Sequence, residues 1–108
     1  MTSKSKIFVS NYAGHDISDA FRYGNGQINI TEGSINIFNS SRLIFDIKLK
    51  LQESKPDDYL LFSGNGFIFG IVLSMWLEKH GEVNLLLYHQ GDKKYCLRKI
   101  TQEEIHDN

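Results

Sequence analysis

The sequence predicts one small α/β domain, with a mixed, mostly parallel sheet, flanking helices and a C-terminal antiparallel hairpin. Short apolar runs with strand periodicity alternate with longer segments of helical spacing. Residues 59–88 form a strand–helix–strand unit with the length of a parallel crossover, and a four-residue turn segment separates the last two strands. We expect a single domain over residues 1–100 and a flexible polar tail over residues 101–108.

Two short strands and a brief helix are predicted in the first third of the chain. Residues 6–10 form an apolar run, and residues 27–31 alternate apolar and polar side chains as a half-buried strand does. Residues 17–23, which lie between them, are long enough for one or two helical turns. Asp16 or Ser18 offers a capping oxygen for that helix.

Residues 40–53 fit two secondary structures. Apolar and charged side chains alternate at period two, which favours a strand, whereas a stripe at helical spacing contains Leu43, Ile44, Ile47 and Leu51. The segment is about 14 residues long, which exceeds a usual strand, and Pro56 follows it as a stop signal. We therefore predict a helix.

The second half of the chain is predicted to contain a buried strand, a long apolar helix and the hairpin. The helix spans residues 67–80 and is expected to end at Gly81 in a left-handed conformation. The predicted strands cover residues 58–63, 83–89 and 94–100.

Charge and composition exclude several classes of protein. The formal net charge is −1, with 12 basic and 13 acidic residues, so duplex nucleic acid is not an expected partner. Cys96 is the single cysteine, which leaves no disulfide and no metal-binding cysteine pair, and no cofactor is predicted. The longest apolar stretch, residues 67–77, is shorter than the roughly 20 residues of a membrane helix. We expect a soluble cytoplasmic protein, in the host cytoplasm if it is viral.

The apolar helix predicts a homodimer. Its Gly66, Gly70 and Ser74 lie four residues apart on one side, where a neighbouring backbone can approach closely. Because apolar side chains surround most of the helix, both of its sides should be buried, and a chain of this size has little left to cover the second side. A second copy packed on helix 66–80 would cover it. The alternative is that residues 40–53 or the N-terminal segment cover it.

Two polar loops at strand ends are the candidate binding site. One loop follows the first strand, and the other opens the long helix with the sequence S-G-N-G. In open α/β sheets, ligands bind beyond the carboxyl ends of parallel strands, and a helix N-terminus there favours an anion. The predicted ligand-binding residues are Asn11, Tyr12, His15, Asp16, Ser63, Gly64 and Asn65.

Structural roles are the alternative for the same residues. Asn65 is a good helix cap, Gly64 permits a turn, and Asp16 can cap the turn that follows it. His15 is the best candidate for a general acid or base, because imidazole exchanges protons near neutral pH. No nucleophilic triad, zinc spacing or carboxylate pair is evident, so no catalytic residue is assigned unless His15 serves an enzyme.

Several motifs resemble a set of small proteins found in phages and their bacterial hosts. They are N-Y-A-G-H-D-I-S-D-A-F-R-Y-G (11–24), T-E-G (31–33), S-K-P-D-D-Y-L-L (54–61) and H-G-E-V-N-L-L-L-Y (80–88). These motifs cover about half of the chain. The resemblance implies a helix over residues 40–53 and implies no activity.

The order of elements also resembles that of viral ring nucleases, which act as type III anti-CRISPR proteins. The first strand ending at Asn11 and the S-G pair before the long helix are similar. The resemblance implies a small dimer that binds a cyclic oligoadenylate across its two-fold axis. The catalytic histidine of that family follows the glycine, whereas Asn65 follows Gly64 here. Cleavage would therefore be absent, or carried by another residue such as His15.

Three functions follow from these observations. The first is a dimeric module that binds a phosphate-bearing cyclic nucleotide without cleaving it, as an anti-defence sponge, with Tyr12 able to stack on a base. The second is a phosphodiester-cleaving enzyme in which His15 is the acid or base. The third is an inhibitor that binds a host protein through the apolar surface of residues 67–77.

Overall fold

A computed structural model describes residues 5–106 and shows an α/β domain with one five-stranded sheet. The strand order is 2-1-3-4-5; the first four strands run parallel and the fifth is antiparallel, which confirms the predicted fold class. The strands are β1 (Ile7–Val9), β2 (Gln27–Asn29), β3 (Tyr59–Leu61), β4 (Glu82–His89) and β5 (Lys94–Thr101). The helices are a 3₁₀ helix (Ser18–Arg22), α1 (Ser40–Leu51), α2 (Gly66–His80) and α3 (Gln102–His106).

The two faces of the sheet carry different helices. The β1-to-β2 connection runs in the opposite direction to the connections that lead to β3 and β4, so right-handed crossovers place its helix on the opposite face. Accordingly, α1 and α2 cover a core around Phe8, Leu60 and Trp76. The 3₁₀ helix covers the other face, where Ala20 packs with Leu86. No described helix is both long and apolar enough to span a bilayer.

Helix α1 confirms the helical interpretation of residues 40–53. Three members of the predicted helical stripe, Leu43, Ile47 and Leu51, are buried against the sheet. Phe45 and Leu49 belong only to the strand-like alternation, and they are 55% and 47% exposed. Burial thus follows a period of 3.6 residues along this segment.

Helix α2 presents its bulky side to the sheet and its small residues to solvent. Ile68 and Val72 are fully buried, whereas Gly66, Gly70 and Ser74 are exposed. A Cβ added at Gly66 or Gly70 would meet no atom within 4 Å, so no neighbouring backbone of the described chain approaches this side. Helix α1 contacts α2 elsewhere. The dimer stays a prediction.

The predicted polar tail begins with a short helix, α3. Thr101 and Glu104 form a reciprocal capping box, in which the Thr101 amide donates to Glu104 Oε1 (3.0 Å) and the Glu104 amide donates to Thr101 Oγ1 (3.2 Å). The Gln102 amide also donates to the carbonyl of Gly81 (2.9 Å). Residues 107–108 of the predicted tail lie outside the described residues.

The C-terminal ends of α1 and α2 are joined by polar contacts. Lys79 Nζ donates to the carbonyls of Leu51 (2.7 Å) and Ser54 (3.2 Å), which satisfies the end of α1. His80 Nε2 shares a hydrogen bond with Ser54 Oγ (2.9 Å), and its ring packs edge-on against Trp76. Burial lowers the pKa of the His80 imidazole, and the adjacent Lys79 lowers it further.

We predict that His80 makes stability pH-dependent on the acid side of neutrality. The folded state holds this imidazole neutral, so its contribution is complete above the ordinary pKa of 6.5 and is lost as the pH falls through the lower folded value. Thermal unfolding followed from about pH 8 to about pH 5 should show a falling midpoint for the native protein and a smaller fall for His80→Gln. Equal pH dependence in both proteins would contradict this.

Candidate functional site

The polar loops that follow β1 and β3 meet where the strand order reverses. β1 and β3 are neighbours, and their outgoing connections run in opposite directions across the sheet. Two buried serines tie the strand ends together. Ser10 Oγ donates to the Ser63 carbonyl (3.0 Å) and accepts from the Ser63 amide (3.1 Å). This is the position at which open α/β sheets bind ligands.

Asn11 joins the three loops that surround this point. Its side chain is 4% exposed, and its Nδ2 donates to Thr31 Oγ1 (2.9 Å) and to the Gly33 carbonyl (3.1 Å) beyond β2. Its Oδ1 accepts from the Asn65 amide (3.0 Å) at the start of α2. Both amide hydrogens are therefore used within the protein, so the predicted ligand residue Asn11 also has a structural role.

Gly64 is required beside Asn11. Its φ is +71°, a conformation that other residues adopt only with strain. A Cβ at this position would also fall 2.3 Å from Asn11 Oδ1 and 2.6 Å from the Asn11 carbonyl oxygen. A side chain here would separate the loops that Asn11 holds together.

Asn65 caps α2, which is the structural role that the sequence analysis gave as the alternative to ligand binding. Its Oδ1 accepts from the amides of Phe67 (2.8 Å) and Ile68 (3.1 Å). Among residues 5–106, no acceptor contacts the backbone amides of Gly64 and Gly66 or the Asn65 Nδ2 group. These donors stay open at the positive end of the helix dipole.

His15 and Ser63 come together from the two loops. His15 Nε2 lies 3.0 Å from the hydroxyl of Ser63, which is 5% exposed. The ring of Tyr12 lies 6.3 Å from the His15 ring. Asp16 does not contact His15: its Oδ1 accepts from the Ser18 amide (2.8 Å) and supports the 3₁₀ helix. The hydrogen bonds of the Ser18 backbone and side chain lower the pKa of the Asp16 carboxyl.

Five of the seven predicted site residues line one of two clefts, whereas Ser63 and Gly64 line neither. The switch-point cleft, with a volume of about 710 Å³, is lined by residues that include Asn11, Tyr12, Glu32 and Asn65. The aromatic cleft, of about 540 Å³, lies between the 3₁₀ helix and the hairpin. Its lining includes His15, Asp16, Asp19, Phe62, Tyr88 and Tyr95. His15 and Tyr12 therefore stand between the two clefts.

The sequence matches the Phage Pam3 gp32-like protein family over residues 3–101. The chain belongs to this family. The expected phage origin is thereby confirmed, while the family description states no activity. No curated protein and no solved structure matches the chain, so the resemblance to viral ring nucleases stays a prediction.

Sequence reasoning missed the residues of this phage protein that the hairpin brings to the aromatic cleft. Asp19 Oδ2 accepts from the Tyr95 amide (2.6 Å), and this hydrogen bond is the main reason why the pKa of the Asp19 carboxyl is lowered. Arg22 donates to the Tyr95 carbonyl. The pairing of Tyr88 with Tyr95 places these two rings side by side on one face of the hairpin, a signal available only once the register is known.

Metal binding has no support in the described part of the chain. No group of three or more histidine, cysteine, aspartate or glutamate side chains is close enough there to hold an ion. His89 Nδ1 and Asp92 Oδ2 approach to 3.4 Å in the hairpin turn, where both side chains are largely exposed.

We predict that Gly64→Ala destabilises the protein strongly. The strained φ and the collision with Asn11 together should lower the free energy of unfolding by about 3 kcal/mol. Gly81→Ala is the matched control, because Gly81 has a similar φ of +76° and no atom within 4 Å of the added Cβ. Denaturant titration should show a loss of about 1 kcal/mol for that variant. Equal losses of unfolding free energy in the two variants would show that the contact between the added Cβ and Asn11 contributes nothing.

Proposed function

We propose that this phage protein is a dimeric binding module that holds a phosphate-bearing cyclic nucleotide and does not cleave it. It would withhold such a signal from a defence system in the host cytoplasm, as a sponge. The observation that carries the proposal is the set of open donors at the start of α2, namely the amides of Gly64 and Gly66 and the side chain of Asn65, which lines the switch-point cleft. Phosphate oxygens are natural acceptors for such donors.

The charge of the cleft favours a small anion over a polyanion. Its lining contains Glu32 and no lysine or arginine, so recognition of a phosphate would depend on hydrogen bonds and on the α2 dipole. A duplex, which needs several cationic contacts, fits poorly. A nucleotide with one or two phosphates needs only a few donors.

The exposed side of α2 supports the dimer. Gly66, Gly70 and Ser74 leave a shallow surface on which a second helix can pack closely, and Phe67 beside them is 50% exposed. The Gly66 amide is itself one of the open donors at the start of α2. A two-fold axis near this end of α2 would bring two clefts together, which suits a ligand that has its own two-fold symmetry.

The contact between Ser63 and His15 favours a second candidate, a phosphodiester-cleaving enzyme. An imidazole at the edge of the phosphate site can accept a proton from the attacking oxygen and return one to the leaving oxygen. The 3.0 Å hydrogen bond to Ser63 would orient that ring. Both candidates use the same ligand and differ in whether it is recovered intact.

We predict that a negative charge at residue 65 weakens nucleotide binding without unfolding the protein. Asn65→Asp keeps the helix cap and adds a charge beside the phosphate, so affinity should fall about tenfold or more. Asn65→Ser is the comparison variant, since it loses the same Nδ2 donor and keeps a neutral cap, and its affinity should fall less. Calorimetric titration with cyclic dinucleotides and trinucleotides measures both variants against the native protein.

The same titrations separate the candidate functions. Intact nucleotide recovered after incubation supports the sponge, whereas a cleaved product that disappears in His15→Ala supports the enzyme. Failure of every cyclic nucleotide to bind rejects both, and a monomeric protein would then direct attention to a host protein that binds α2.

We predict that Gly70→Lys converts the dimer into a monomer. Light scattering should give twice the 12.4 kDa chain mass for the native protein and the single chain mass for the variant. The substitution replaces a poor helix former on an exposed position, so the fold should persist. Leu49→Lys, on the exposed side of α1, should leave the mass unchanged. A native mass of 12.4 kDa would contradict the dimer.

A further inference from the structure

The aromatic cleft has rigid aromatic walls. Phe62 and Tyr88 line it and are 40% and 48% exposed, so each offers uncovered ring surface. Both rings are supported by neighbours: Phe62 packs against Phe69 at 4.5 Å between centroids, and Tyr88 packs edge-on against Tyr95 at 5.2 Å. Fixed and partly uncovered rings are suited to a flat apolar ligand.

Tyr95 supplies an unused polar group in the same cleft. The residue is 97% buried, since 3% of its surface is exposed. Its backbone contacts Asp19 and Arg22, but no described residue forms a hydrogen bond with its hydroxyl. This hydroxyl is also not among the fully enclosed polar atoms without a partner, so part of it is accessible, and the residue lines the aromatic cleft. A ligand in the cleft can therefore supply the partner that a tyrosine hydroxyl usually has.

The polar rim of the aromatic cleft is acceptor-rich. Asp16 accepts from the Ser18 amide through Oδ1 (2.8 Å), and Ser18 is the only donor to this carboxylate among the described residues, so lone pairs remain for a ligand. Asp19 is occupied by Arg22 and by the Tyr95 amide. Lys93 lies at the mouth in a left-handed conformation (φ 53°). Two carboxylates against one lysine make this cleft a poor place for a phosphate and a good place for N–H donors.

We infer that the aromatic cleft binds a purine base, which stacks on Phe62 and Tyr88 and directs its N–H donors to Asp16. The Tyr95 hydroxyl would bond to a ring nitrogen or exocyclic group of that base. Guanine fits better than adenine, because its adjacent N1–H and N2–H₂ donors can both face one carboxylate. The inference rests on the proposed function, since the base would belong to the nucleotide whose phosphate lies in the switch-point cleft.

The position of His15 connects the two clefts. His15 lines the aromatic cleft, and its Nε2 contacts Ser63, which directly precedes the open amide of Gly64. A nucleotide that crosses this point would have its base on one side of His15 and its phosphate on the other. The sugar would lie against the imidazole.

The test uses guanosine, which has a base and no phosphate. We expect guanosine to bind the native protein in an NMR titration, with the largest shifts at the Tyr88 and Tyr95 rings, and adenosine to bind more weakly. Tyr95→Phe and Asp16→Asn should each weaken guanosine binding about tenfold, the effect of losing one strong hydrogen bond. Neither variant should lose stability, since Tyr95 has no hydroxyl partner to lose and asparagine can still accept from the Ser18 amide. Asp46→Asn, on α1, is the control and should bind as the native protein does.

The outcomes distinguish this inference from the proposed function. Asn65→Asp should leave guanosine binding intact while it weakens binding of a cyclic nucleotide. If cyclic nucleotides bind but guanosine does not, the base site is rejected and the proposed function stands. If guanosine binds Tyr95→Phe and Asp16→Asn as tightly as it binds the native protein, the base site is also rejected. If guanosine binds with the expected variant effects and no cyclic nucleotide binds more tightly, the base site stands and the proposed function fails. If neither ligand binds, both are rejected.

Discussion

The hydrogen bonds of the Asn11 side chain hold together the loops at the edge of the sheet where the parallel strands end. The buried side-chain amide of Asn11 follows β1, which lies between β2 and β3 in the sheet. It bonds to the loop after β2 on one side and to the N-cap residue of α2, which follows β3, on the other. Backbone hydrogen bonds extend the pairing of β1 with β2 into their loops, where the Tyr12 amide donates to the Thr31 carbonyl (2.9 Å) and the Gly33 amide donates to the Tyr12 carbonyl (2.8 Å). The Asn11 side chain adds the connection to the start of α2, and Gly64 allows the close approach.

This arrangement explains why polar residues on the same loops have different roles. Asn11 and the Asn65 carbonyl oxygen satisfy backbone donors and acceptors that the strand and helix ends leave open. The amides of Gly64 and Gly66 remain available beside them, at the positive end of a 15-residue helix. His15 is held by Ser63 at the boundary between the switch-point cleft and the aromatic cleft. The proposed binding site and the residues that support it thus share one short stretch of chain.

Local patterns in the sequence identified most elements correctly. The helix over residues 40–53 was ambiguous by periodicity, and its length and Pro56 decided it in favour of what the structure shows. The C-terminal helix α3 was missed although T-Q-E-E is a capping-box sequence, because the polar composition of the tail was given more weight. The rule that ligands bind at strand ends predicted which loops form the candidate site. It could not predict the hydrogen-bond partner of each side chain in those loops.

The sequence by itself determined the α/β class, the two polar loops, and a long helix with small residues on one side and bulky apolar residues on the other. Periodicity and turn residues predict these features because they act over a few neighbouring positions. Only the tertiary structure decided that Ser63 meets His15, that the Asn11 side chain bonds to two other loops, and that Tyr95 and Phe62 share a cleft with Asp16. The partners are distant in the sequence: 48 positions separate Ser63 from His15, and 54 separate Asn11 from Asn65. Their contact depends on strand order and register, which arise from the packing of the whole sheet and not from any local segment.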